Sequence, residues 1–212
     1  MNEKRSREEL LNGIIEIEWN MFQEVPNIGG KASCQEDLRT FRIMRSSQAM
    51  SWSDAALESY LNDLQEAEKK GRNLLSEKYA RMMKSTSPLE YARIEHLIPP
   101  LDTEVPPLID KIVEIILEWE KELSQKFPYI IRKGRPIHSS EDMPFVASLE
   151  TYLRGELATY SKRTLGLYYE YLLKQKSENR NGSKVILEHT VNQYGYESLE
   201  EANEKMSLSS HT

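Results

Sequence analysis

Apolar positions along this chain recur at intervals of three and four residues, the period of helices that bury one face. The first run is Leu10, Leu11, Ile14, Ile15, Ile17, Trp19, Met21 and Phe22. It follows Ser6 and Glu9, spaced as a capping box, and predicts a helix over about 7–24 that stops before Pro26. Ser33 with Glu36 repeats the box and predicts a helix over 34–48. Ser51 with Asp54 opens a longer one to about 84, with Leu57, Leu61, Leu64, Leu75, Tyr79 and Met82 inward. Gly71 interrupts it as a kink or a close crossing. Ser87, Pro88 and Glu90 start a short helix that Pro99 and Pro100 end. From Val105 to Phe127 the period holds for a central helix over 105–126. Residues 128–145 read as a long connection, 146–176 as one helix, and 184–194 and 198–206 as two short ones. Only Tyr129-Ile130-Ile131 suggests a strand, and no repeat of fixed period is found. The expectation is an all-α fold: a single compact domain of six to eight helices with short C-terminal helices. Residues 1–177 form its main body, 178–206 a docked helical extension, and 207–212 a disordered tail.

Composition narrows the function classes. Over 212 residues, 39% are hydrophobic and 29% charged, which supports a sizeable core. A net charge of −6 lacks the basic footprint of a nucleic-acid binder, so nucleic acid is not an expected partner. No window approaches the roughly 20 apolar residues of a membrane span, and the first ten residues lack a signal-peptide core, so no membrane partner is expected either. Cys34 is the only cysteine, which forbids an intramolecular disulfide and suits a reducing cytoplasm.

Three helices carry polar residues within apolar stripes. Cys34, Asp37, Leu38, Phe41, Met44, Arg45 and Gln48 share one face of the second. Glu150, Arg154, Leu157, Tyr160, Ser161 and Thr164 share a face of the 146–176 helix, and Trp19, Asn20 and Gln23 lie together on the first. Convergence of these stripes would make one polar pocket for a small anionic ligand. Arg45 and Arg154 would grip a carboxylate or phosphate bidentately, Asn20, Asp37 and Gln48 would read its polar groups, and Tyr160 would stand at the edge. The Gly29-Gly30 pair would supply backbone donors. The competing reading is a buried hydrogen-bond network that fixes helix register and binds nothing.

If there is chemistry, Cys34 at a helix start is the candidate nucleophile, and Asp37 or Glu150 the acid–base group. The four histidines lack metal-helix spacing and the single cysteine rules out a zinc ribbon, so no metal is assigned and no cofactor is identified. Glu16, Glu18, Glu150 and Glu156 are the carboxylates that a mixed metal site would use. Arg132, Lys133, Arg135 and His138 make the 128–145 connection either a lid over an anion or a solvated loop.

The run Glu18-Trp19-Asn20-Met21-Phe22, with Asn27-Ile28-Gly29-Gly30, Ala32-Ser33-Cys34-Gln35, Thr40-Phe41, Met44-Arg45 and Ser47-Gln48, resembles a bacterial family known as a domain of unknown function, numbered four-one-two-five. Glu150-Thr151-Tyr152-Leu153, Gly155-Glu156-Leu157 and Thr159-Tyr160-Ser161 resemble its downstream segment, so the resemblance covers roughly 8–175. It implies a bacterial single-domain protein and brings no activity, substrate or cofactor. Two readings follow: a small-molecule-binding helical domain, with or without catalysis, and a non-catalytic interaction or regulatory module that binds another protein or its own copy.

Overall fold

The computed structural model describes residues 5–27 and 30–208. Among these, eleven α-helices occur and the sole β feature is an isolated bridge between Met143 and Val146. The helix count exceeds six to eight because two long runs break and a short helix forms within the 128–145 connection. Helix α1 (Arg7–Gln23) carries the expected reciprocal cap: Glu9 N–H donates to Ser6 Oγ (3.2 Å) and Ser6 N–H to Glu9 Oε2 (2.7 Å). The second helix differs at its start. Ser33–Gln35 is a single 3-10 turn, and α2 (Leu38–Ala49) begins at Asp37, whose Oδ1 accepts from Thr40 N–H at 2.9 Å. A carboxylate four residues on outcompeted Ser33 as N-cap.

The 51–84 run is two helices, α3 (Asp54–Lys69) and α4 (Leu74–Thr86). Gly71 stands at φ 64, the left-handed conformation that ends helices, and Asn73 caps α4. Ser53, not Ser51, caps α3. Next come α5 (Pro88–Ile94) and α6 (Val105–Lys126), the latter at its expected bounds. The 128–145 connection contains the short α7 (Pro128–Ile131). The 146–176 run divides into α8 (Leu149–Leu157) and α9 (Lys162–Ser177), because Ser161 caps a new helix through Thr164 N–H. Then follow α10 (Gly182–Gln193) and α11 (Leu199–Leu208). Ser207 and Leu208 are helical, and the rest of the expected tail lies outside the described residues.

The main core is filled by α1, α3, α4, α6, α8 and α9. Helix α1 packs on α3, α4 on α8, α3 on α9, and α6 on α8, α9 and α10. A second cluster joins Leu123, Phe127 and Ile130 to Val191, Leu199 and Ala202, and so fastens the chain past 177 to α6 and α7. Helix α10 also lies along α2. That placement closes one side of a large cavity. No helix among the described residues is long and apolar enough to cross a membrane.

Candidate functional site

A cavity of about 600 Å³ runs between the helices. Its wall is assembled from α2, α4, α6, α7, α8 and α10, with Phe22 of α1 and Tyr168 of α9. The volume is within the range of small-molecule sites, roughly 300–1,000 Å³. Most of the lining is apolar. Phe22 and Phe41 stack at 5.4 Å and Tyr79 follows at 6.3 Å, while Ile116, Trp119, Ile186 and Leu187 face in from α6 and α10.

Four buried charges from four helices meet at one wall of it. Glu18 of α1 is wholly buried, and Arg45 of α2 donates to it through Nε at 2.5 Å and through Nη2. Arg45 Nη1 donates to Glu156 Oε1 of α8 at 2.8 Å and to Gln48 Oε1 at 2.8 Å. Lys78 of α4 donates to Glu156 Oε2 at 2.8 Å. Tyr60 donates to Glu18 at 2.7 Å, and Tyr160 to Glu156 at 3.0 Å. Two carboxylates and two cations sum to zero, which makes burial of this cluster tolerable.

The arrangement is polarised. Arg45, Gln48 and Lys78 line the cavity, whereas Glu18 and Glu156 do not; Glu18 borders a separate void of about 20 Å³ with Arg45 and Gln48. The cations therefore face the space and the carboxylates neutralise them. Lys78 is 4% exposed and gives Glu156 one of its three donors. Its ammonium lies 3.5 Å from the Tyr152 ring centroid, and the Arg135 guanidinium lies 4.9 Å from the same ring. Both Tyr152 and Arg135 line the cavity.

The protonation states follow from this packing. Burial alone would raise the Glu156 carboxyl, but Arg45 and Lys78 outweigh it and hold the group well below the usual carboxylate range. Burial would pull the Lys78 ammonium down, and Glu156 turns that into a net rise. The Arg45 guanidinium is raised in the same way. Burial pushes the Tyr60 and Tyr160 phenols up, so both remain donors near neutral pH.

The structure brings together some of the expected site residues and disperses others. Cys34, Asp37, Arg45 and Gln48 line the cavity, and Tyr160 belongs to the ion network. Asn20 is exposed and away from the cavity lining. Gly30 is exposed at φ 103, outside the lining, and Gly29 lies outside the described residues. Arg154 does not pair with Arg45 around a ligand. It is 42% exposed and bridges Asp110 (2.6 Å) and Glu150 (3.1 Å), while Thr151, Gly155, Glu156 and Leu157 take the buried side of α8. Glu150 also accepts from Ser139 N–H at 3.0 Å and is used up as a loop tie. Cys34 is exposed in a 3-10 turn, so it has no α-helix dipole behind it, and Asp37 is committed to capping. His189 of α10 pairs with Ser47 at 2.8 Å. Glu18 and Glu156, expected as potential metal carboxylates, hold Arg45 and Lys78 instead. No group of three or more metal-binding side chains occurs among the described residues.

Lys78, Tyr60, Glu120 and Ser183 were not among the candidates from sequence, and Gln35 stood only within a family motif. Lys78 lies on the buried face of α4 with Leu74, Leu75 and Met82, and a lysine inside that stripe was the available signal. Gln35, 1% exposed, organises the α1–α2 connection. Its amide donates to Phe22 O (2.6 Å) and Val25 O (3.0 Å) and accepts from Asn27 Nδ2 (2.7 Å) and Ala32 N–H (2.9 Å).

Fold and site together define an all-helical protein built round an amphipathic cavity with a cationic wall. The family model described as "Protein of unknown function (DUF4125)" matches residues 8–204. The chain belongs to that family, and the match extends through α10 into α11. No curated protein and no solved structure matches the chain.

Proposed function

We propose that this protein binds a small amphipathic molecule in the central cavity, with an anionic group held near Lys78, Arg45 and Arg135. One observation carries the reading: a buried lysine on the wall of a ligand-sized apolar space keeps donors beyond its single Glu156 bond. Buried cations on cavity walls are where an anion gains most, since little water competes. The geometry favours binding over catalysis, because Cys34, Asp37 and Glu150 share no hydrogen bond with one another. The exposed, free Cys34 suits a reducing compartment such as the cytoplasm.

Thermal shift with dodecanoate, indole acetate and inorganic phosphate tests the proposal. Dodecanoate or indole acetate should raise the melting temperature of the wild type, and Arg135→Ala should weaken that response. Alkylation of Cys34 at the cavity wall should slow when the probe is bound. No shift and no protection with any of the three would overturn the reading.

One feature favours the second reading, an interaction module. Phe145 is 83% exposed at φ 64, beside exposed Met143 and Val146. A strained backbone that presents an aromatic ring to solvent suits a contact with another protein or a second copy. Concentration-dependent light scattering of wild type and Phe145→Ser discriminates: a dimer lost in the variant supports it, and a monomer in both counts against self-association.

A further inference from the structure

We infer that the cavity is bipolar, so that its ligand carries an ammonium or other N–H donor at Glu120 and Ser183 as well as an anionic group at Lys78 and Arg135. This rests on the proposed binding role of the cavity and names the class of ligand.

The two polar ends are carried by different elements. Lys78 (α4) and Arg135 (after α7) flank Tyr152 at one, and Glu120 (α6) and Ser183 (α10) form the other. All five residues line the same space. The cationic end has Glu156 paired with Lys78, but the acidic end has no counterpart: burial and the Ser183 hydroxyl are the influences on Glu120, and no cation is among them. Burial pushes its carboxyl up, with Ser183 acting the other way. A carboxyl on an apolar wall without a cation is costly when charged, and a ligand ammonium removes that cost.

A second observation marks the same corner as short of partners. Gln175 is 1% exposed, and neither its amide oxygen nor its nitrogen has a hydrogen-bond partner. Its Oε1 lies 3.0 Å from where a Cβ on Gly182 would stand, and Trp119 lies 2.7 Å from that point. Gly182 and Trp119 both belong to the cavity wall. The unpartnered Gln175 amide stands behind Gly182 and Trp119, next to the wall, while Glu120 and Ser183 are on the wall itself and Glu120 has the Ser183 hydroxyl and no cation beside it. Between the ends the wall is apolar, with Met44, Ile116, Ile186 and Leu187. An amino carboxylate with an apolar middle satisfies all three regions.

Calorimetric titration of ω-aminododecanoate and dodecanoate into wild type and Glu120→Gln is the test. The wild type should prefer the amino acid by about tenfold or more, about 1.4 kcal/mol. Glu120→Gln should lose the preference and bind the two probes alike. The wild-type comparison stands even if the variant folds poorly. Equal binding of the two probes by the wild type, with dodecanoate clearly bound, would overturn the bipolar assignment and leave the binding role intact. Binding of neither probe, with Cys34 alkylation unchanged, would overturn both.

Discussion

Arg45 and Glu156 stand 111 positions apart in the chain, and Nη1 of the one lies 2.8 Å from Oε1 of the other. Through that contact α2 and α8 are tied to each other, and through Glu18 and Lys78 to α1 and α4. The network is both the register device and the back of the cavity. The two readings weighed for the polar stripes, pocket or structural network, therefore describe two faces of one cluster. Its cations line the large cavity and its carboxylates do not.

Glu156→Gln should be the most damaging conservative change in the network. It leaves Arg45 and Lys78 buried with Glu18 as the sole remaining carboxylate, and breaking one partner of a buried pair costs about 3–5 kcal/mol. Tyr160→Phe removes only a neutral donor to the same carboxylate and should cost about 1–2 kcal/mol. Urea unfolding of the two variants checks the order, and a Glu156→Gln loss no larger than that of Tyr160→Phe contradicts it.

The same residues set a pH dependence of defined sign. The Glu156 carboxyl is lower in the folded chain than its ordinary 4.5, so its contribution is full above about 4.5 and is lost as pH falls toward the folded value. The Lys78 ammonium is higher than its ordinary 10.5, so its contribution is full below 10.5 and is lost as pH rises through the folded value. In Glu156→Gln the acid limb from this group disappears. Lys78 then keeps its burial and loses its main counter-charge, so its folded value should drop below 10.5 and the variant should gain stability as pH rises toward 10.5. Unfolding midpoints across pH, for wild type and variant, show whether the alkaline slope changes sign.

Helical class and most element starts were legible because they depend on local rules: a serine, asparagine or aspartate cap, a proline at N1, and a 3.6-residue apolar period. The errors fell where two local signals competed. Asp37 rather than Ser33 capped α2, Ser161 started a helix inside an apolar period that ran on, and Gly71 with Asn73 ended and restarted a helix where the sequence was read as a kink or a close crossing. Arg45 and Gln48 were legible as polar positions on a buried face. Which carboxylates answer them was not, since Glu18, Lys78 and Glu156 come from three other helices and spacing carries no information across helices. Arg154 resembled Arg45 in sequence, but the face of α8 that packs inward is the one with Thr151, Gly155 and Glu156, and Arg154 pairs with Asp110 near the surface.

Gly155→Ala should destabilise despite placing the best helix former within a helix. A Cβ there would stand 2.8 Å from Met82 Cγ and 3.0 Å from the Lys78 carbonyl oxygen. Met82 can move, but the carbonyl belongs to the α4 backbone, so α4 and α8 must separate. Overpacking of this kind costs about 1–3 kcal/mol, against about 1 kcal/mol gained in helix propensity. The net loss should appear in the melting temperature, together with weaker carboxylate binding as Lys78 shifts from Glu156. A variant as stable as the wild type would show that the α4–α8 contact is not as tight as these distances require.

Phe145→Gly should stabilise the chain, because the cost at this position is in the backbone. Met143 and Val146 exchange backbone hydrogen bonds of 3.0 and 2.9 Å around Pro144 and Phe145. Proline followed by a residue at positive φ is the type II turn pattern, whose third position favours glycine. A non-glycine residue in the left-handed region costs roughly 1–2 kcal/mol, and a ring 83% exposed returns little through burial. Glycine's extra freedom in the unfolded chain takes back about 0.5–1 kcal/mol, so the expected gain is up to about 1 kcal/mol. Differential scanning calorimetry measures it. A loss of stability would mean that the Phe145 ring holds the turn through contacts stronger than its exposure allows. A gain, accompanied by lost self-association, would show that an unfavourable turn is kept for what the ring touches outside its own chain.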